Sequence, residues 1–151
     1  MSNRRFPWRP DLDQLRHQAK DLLRAIHRGD PEAIAEIEEH HPDTIDPARV
    51  RLADAQLILA RSYKASSWTR LVLSARMLDA IWRDDPGAVR DLIAKHPYLL
   101  HENAMIDNVN WGAPMSFAAN LGRDAIIETL HELGARDHEH AIDRAALQSR
   151  I

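Results

Sequence analysis

The sequence predicts an all-α fold, an α-solenoid built by stacking helix–turn–helix pairs. Three observations predict it. Apolar residues recur every three or four positions along most of the chain, and alternating β-branched runs are missing. Asp30-Pro31 and Asp85-Pro86 each follow a finished apolar stripe. Aspartate as N-cap with proline at the first helical position is a helix start. Finally, the stretch from Asp21 to Pro42 returns from Arg76 to Pro97, and a fixed internal period marks a repeat architecture.

Residues 1–10 form a polar, proline-bearing tail with Arg4, Arg5 and Arg9 around Phe6 and Trp8. Its ordinary role is a loosely held terminus with Trp8 packed over the first helix. The sharper reading is a basic-aromatic arm for an acidic partner or RNA. The remainder, residues 11–151, reads as one solenoid domain. Asp11 or Asp13 caps a helix reaching about Arg28, with Leu12, Leu15, Ala19, Leu22, Leu23 and Ile26 as its buried stripe. Gly29 stops it, and Asp30-Pro31 opens the next, lined by Ala33, Ile34 and Ile37 and ended by His41-Pro42. Arg51 to Ala65 is the third helix. Ser66 or Ser67 caps a fourth carrying Trp68, Leu71 and Val72, which runs on or breaks near Ser74 before Met77, Leu78 and Ile81. Val89, Leu92 and Ile93 follow Asp85-Pro86 and lead to His96-Pro97.

The repeat is specific. Leu23, Ala25, Ile26, Arg28, Asp30, Pro31, Ala33, His41 and Pro42 recur as Leu78, Ala80, Ile81, Arg83, Asp85, Pro86, Ala88, His96 and Pro97, 55 positions on. That interval leaves room for another helix pair between the copies. Pairs are therefore expected near 14–41, 51–73, 76–96 and 114–133. In the last of these, Pro114 starts a helix, Gly122 supplies the reversal, and Ile126, Ile127, Leu130 and Leu133 form a stripe that Gly134 closes. Residues 140–150 align with 113–123, pairing Ala145-Ala146 with Ala118-Ala119. They read as half of a fifth repeat. Its uncapped helix leaves a face without the polar cover a stack needs, so self-association there is expected.

Composition excludes several classes. The net charge of −3 and pI near 6.3 offer no basic face for nucleic acid. The absence of cysteine removes disulfides and thiolate chemistry and points to the cytoplasm. No apolar run is long enough to span a bilayer, and five glycines leave little for phosphate loops.

The run Ala113-Pro114-Met115-Ser116-Phe117-Ala118-Ala119, followed by Gly122, Ile126-Ile127, Leu130 and Gly134-Ala135, resembles an ankyrin repeat. The family usually begins Thr-Pro-Leu-His. Ala113 and Ser116 replace the threonine and histidine, which normally exchange hydrogen bonds tying the turn to the helix. The earlier pairs match through their Asp-Pro restarts and stripe spacing, like the divergent opening repeats of bacterial ankyrin proteins. The resemblance implies a non-catalytic stack whose concave face and finger-like turns bind a protein partner. It places a finger within residues 98–113, where Asn108, Asn110 and Trp111 suit a tight turn. Candidate partner contacts are Asn108, Asn110 and Trp111, with Ser116 and Asn120 on the adjoining helix. Trp111 is either such an anchor or folds back onto Tyr98 or Met115.

Phosphate-loop, zinc-protease and nucleophile-elbow motifs are all missing. His131, His138 and His140, with Glu132 and Glu139 nearby, form the one metal-like spacing, and it is unspecific; no metal or cofactor is expected. His40-His41 and His96 fit helix ends, where they complement the negative terminus. Glu38-Glu39 and Asp84-Asp85 fit exposed helix positions and caps rather than an acid/base pair. Trp68 and Trp82 fall in or beside apolar stripes and are expected to pack in the core. Two alternatives to the binding module stand: a small-molecule or enzymatic site using His101, Glu102 and Asp107, and a purely structural spacer or oligomer.

Overall fold

Aspartates cap three of the helices in this protein. Asp11 accepts a hydrogen bond from the Asp13 N–H at 2.9 Å, Asp30 from Glu32 at 3.0 Å, and Asp85 from Ala88 at 3.0 Å. Each cap stabilises its helix by about 1 kcal/mol. A computed structural model describes residues 9–102 and 113–136. Its α-helices are α1 (Leu12–His27), α2 (Pro31–His40), α3 (Leu52–Ser62), α4 (Trp68–Trp82), α5 (Pro86–Lys95), α6 (Pro114–Asn120) and α7 (Asp124–Glu132), with short 3-10 turns at Pro47–Arg49 and Pro97–Leu100. Among the described residues there is no strand. The chain divides into two compact units, residues 1–72 and 73–151, and α4 starts in the first and ends in the second.

In the first unit α1 and α2 form an antiparallel pair and both pack on α3. Leu15, Ala19, Leu22 and Ile26 from α1, Ala33 and Ile37 from α2, and Ala55, Ile58 and Leu59 from α3 are all buried. Polar links tie the helices across this core. The Tyr63 hydroxyl donates to Gln18 Oε1 at 2.8 Å, and His27 Nε2 donates to the Val50 carbonyl at 2.8 Å. His41 Nε2 donates to Asp54 Oδ1 at 3.1 Å, while Asp54 Oδ2 accepts from the Arg51 N–H at 2.9 Å. One carboxylate thus joins the end of α2 to the start of α3.

In the second unit α5 packs on α7 and α6 on α7. Arg90 on α5 pairs with Glu132 on α7, and Arg123 Nη2 donates to the Trp82 carbonyl at the end of α4, 2.7 Å away. That bond runs from the α6–α7 turn to the α4–α5 turn. Every residue from Ala113 to Ala119 is buried, as befits a helix that is apolar almost all round.

One turn geometry recurs. Gly29, Lys64, Asp84, Gly122 and Gly134 have φ of 78°, 67°, 55°, 67° and 99°. The amide after each donates back five positions: Asp30 to Ala25, Ala65 to Ala60, Asp85 to Ala80, Arg123 to Ala118, and Ala135 to Leu130, at 2.9–3.1 Å. These are Schellman closures. The closures at Gly29 and Asp84 lie 55 positions apart, with 25, 29 and 30 corresponding to 80, 84 and 85.

The structure corrects the expected pair count. Ser67 does cap α4, accepting from the Arg70 N–H at 3.2 Å, but the helix runs unbroken past Ser74 to Trp82. Neither glycine nor proline interrupts Trp68–Trp82, so no residue forces a break. The expected pairs 51–73 and 76–96 therefore share α4, and the described residues form seven α-helices where four full pairs need eight. Trp68 and Trp82 are half-buried rather than enclosed.

Candidate functional site

Two regions gather polar groups: the α6–α7 turn in the second unit and a groove between α1 and α2 in the first. At the turn, Pro114 starts α6, and Gly122, left-handed at φ 67°, reverses the chain into α7. This brings Asn120 and Arg123 to one end of the helix pair. Asn120 is half-buried, and its Nδ2 is enclosed with no acceptor. Arg123 places Nη2 on the Trp82 carbonyl, while its Nε is enclosed without a partner. Two enclosed N–H donors thus stand three residues apart at the same corner. An enclosed donor left unpaired costs about 1–3 kcal/mol.

The sequence-derived contacts fare unevenly. Ser116 is 3% exposed, so its hydroxyl has almost no surface to offer a protein partner, and it drops out as a direct contact. It lies one turn before Asn120, inside a helix covered on all sides. Asn120 keeps a partly accessible surface. Asn108, Asn110 and Trp111 lie outside the described residues, as do the half repeat at 140–150 and most of the N-terminal tail. His101 is exposed and Glu102 half-buried, and Asp107 also lies outside.

No group of three His, Asp or Glu side chains among the described residues is placed to hold a metal ion. His131 is exposed on α7, and His138 and His140 lie outside the described residues. His41 and His96 do sit at helix ends. His41 is clasped by Asp54, and His96 makes an edge-on contact with Tyr98 at 6.1 Å between ring centres. Asp84 adopts the left-handed turn conformation and Asp85 caps α5, so that pair is structural.

The groove was missed by sequence reading. It has a volume of about 600 Å³ and is lined by Gln18, Asp21, Leu22 and Ala25 from α1, and by residues from Asp30 to Glu39 around α2. Asp21, Asp30, Glu32, Glu36 and Glu39 are its charged residues, and no base is among them. A cleft lined by one sign of charge focuses its field on a counter-charged ligand. Glu36 is only 5% exposed, and its side chain is not left without a partner. The sequence does hold a signal for it. Glu32, Glu36 and Glu39 are spaced i, i+4, i+7, which puts three carboxylates on one face of α2.

No protein-family model, no characterised protein and no solved structure matches this chain.

Proposed function

We propose that this protein is a non-catalytic interaction module, a helical-repeat stack of ankyrin type that binds another protein. The observation that carries the reading is the repeated hairpin turn. Three helix pairs, α1/α2, α4/α5 and α6/α7, reverse through the same left-handed residue and the same five-back hydrogen bond. Within the second unit the turns of two such pairs are joined by Arg123 and the Trp82 carbonyl, and their second helices by Arg90 and Glu132. Side-by-side hairpins with matched turns are what a stacked repeat builds. Such stacks present loops and inner helices to partners. On this reading Asn120, with Asn108, Asn110 and Trp111, faces a protein partner in the cytoplasm, and neither nucleic acid nor membrane is engaged.

The test is site-specific photocrosslinking in cells that express the protein. A benzophenone side chain replaces Asn120 in one variant and Trp111 in a second. A third carries it at Glu128, an exposed position on α7. The expected result is one shared protein adduct at 120 and 111 and none at 128. Adducts at all three positions, or at none, would refute the assignment.

A further inference from the structure

The net charge of −3 hides a local excess of the opposite sign. Arg16, Lys20 and Arg24 on α1 and Arg28 at its C-cap recur every fourth position, and all four are exposed. Residues four apart share a face at steps of about 6 Å, so the cations form a ridge about 18 Å long. The ridge points away from the buried stripe of Leu15, Ala19, Leu22 and Ile26. Arg16 pairs with Asp13 at 3.3 Å and Arg24 with Asp21 at 3.2 Å. Both contacts are exposed, and exposed pairs hold their partners weakly.

The second copy of the repeat has no such ridge. At the corresponding positions stand Leu71, Ala75, Asp79 and Arg83, and Leu71 and Ala75 are buried. Where α4 is covered, α1 is bare and basic. The surroundings of the ridge limit what can lie on it. The neighbouring α2 has no Lys or Arg and exposes Glu32, Glu38 and Glu39, and the exposed Asp21 belongs to α1 itself. A broad polyanion, such as a nucleic-acid duplex or a lipid surface, meets these carboxylates as like charges, which is unfavourable. A single helix, a rod about 10–12 Å wide, can lie along α1 and avoid them.

We propose that the α1 ridge docks an acidic helix of a protein partner, one whose carboxylates also stand at every fourth position. Rows of residues four apart are the ridges by which two helices most often interdigitate. Matched spacing lets each carboxylate meet one cation, and arginine grips a carboxylate through two N–H groups. The surface belongs to the first unit, so the inference does not rest on the Asn120 contact proposed above.

Two Ala-rich helical peptides of identical composition test it, titrated into the full chain by fluorescence anisotropy at low salt. One carries glutamate at every fourth position, and the other scatters the same glutamates around the helix. The native chain should bind the first about tenfold more tightly than the second. R16Q/K20Q/R24Q/R28Q should abolish that preference. R49Q/R76Q/R83Q/R90Q, which removes as many exposed cations elsewhere, should keep it. All of these side chains are exposed, so the folds should persist, checked by circular dichroism. K20Q/R28Q leaves the Asp13 and Asp21 pairs intact and should still weaken the preference. Equal binding of the two peptides would overturn the proposal, as would a preference that survives loss of the ridge or disappears in the control variant. Tighter binding of single-stranded DNA or of phosphatidylserine vesicles than of the first peptide would also overturn it.

Discussion

Lys64 is a lysine in a glycine's conformation. It follows α3 with φ 67°, and its neighbours close the helix by Lys64 N–H to Arg61 and Ala65 N–H to Ala60, at 2.9 and 3.0 Å. Left-handed backbone costs an L-residue about 1–2 kcal/mol. Glycine removes that cost but loses about 0.5–1 kcal/mol of stability through the freer unfolded chain. Lys64→Gly should therefore stabilise the protein by roughly 0.5–1 kcal/mol. Gly29 is the mirror experiment. It has φ 78°, and a Cβ built there meets nothing within 4 Å, so Gly29→Ala tests backbone alone. It should destabilise by about 1 kcal/mol, and the two variants should move in opposite directions. Lys64→Ala removes the side chain, keeps the strain, and should stay near the parent. Urea unfolding followed by far-ultraviolet circular dichroism reads all three, with slopes unchanged. A lower midpoint for Lys64→Gly, or a Gly29→Ala variant as stable as the parent, would refute the account of the turns.

Arg123→Met removes the donor that the α6–α7 turn gives the Trp82 carbonyl. It should cost about 1–2 kcal/mol in the same assay and speed amide exchange around the α4–α5 turn. Asp85→Ala deletes the cap of α5 and should cost about 1 kcal/mol, while Asp85→Asn keeps most of it. Arg90→Ala breaks a pair whose side chains are 46% and 60% exposed, and the loss should stay under about 0.5 kcal/mol. Tyr63→Phe leaves Gln18 without its 2.8 Å donor and should cost about 1 kcal/mol by thermal or urea unfolding.

Features carried by residue type alone were legible in the sequence. Asp30-Pro31, Asp85-Pro86 and Pro114 start helices where expected, and Gly29, Gly122 and Gly134 turn left-handed as expected. Lys64 and Asp84 take the same conformation without the glycine that announces it. The strain there is imposed by the helices on either side, which no local pattern records. The unbroken α4 follows the same logic, because a serine permits a break without requiring one. Ser116 was the reverse case. Its neighbours Met115, Phe117, Ala118 and Ala119 are apolar on every side, a pattern that marks an enclosed helix and not a contact surface. The groove needed both helices. Glu32, Glu36 and Glu39 mark one face of α2, but only the pairing with α1 turns that face into a cleft.

The two copies of the 55-residue repeat separate what is local from what is not. Their helix ends agree hydrogen bond for hydrogen bond: Ala25, Ile26 and the Gly29 turn match Ala80, Ile81 and the Asp84 turn. Their histidines do not. His41 finds Asp54 across the interface with α3, whereas the position of Asp54 recurs as Val109, and His96 meets the edge of Tyr98 instead. A turn needs only its own few residues, so any copy of the sequence reproduces it. A clasp needs a partner from another element, so it survives only where that element kept the matching group. Within the first unit, His41 and Asp54 link the end of α2 to the start of α3. Similar turns with different clasps therefore let similar helix pairs make different contacts.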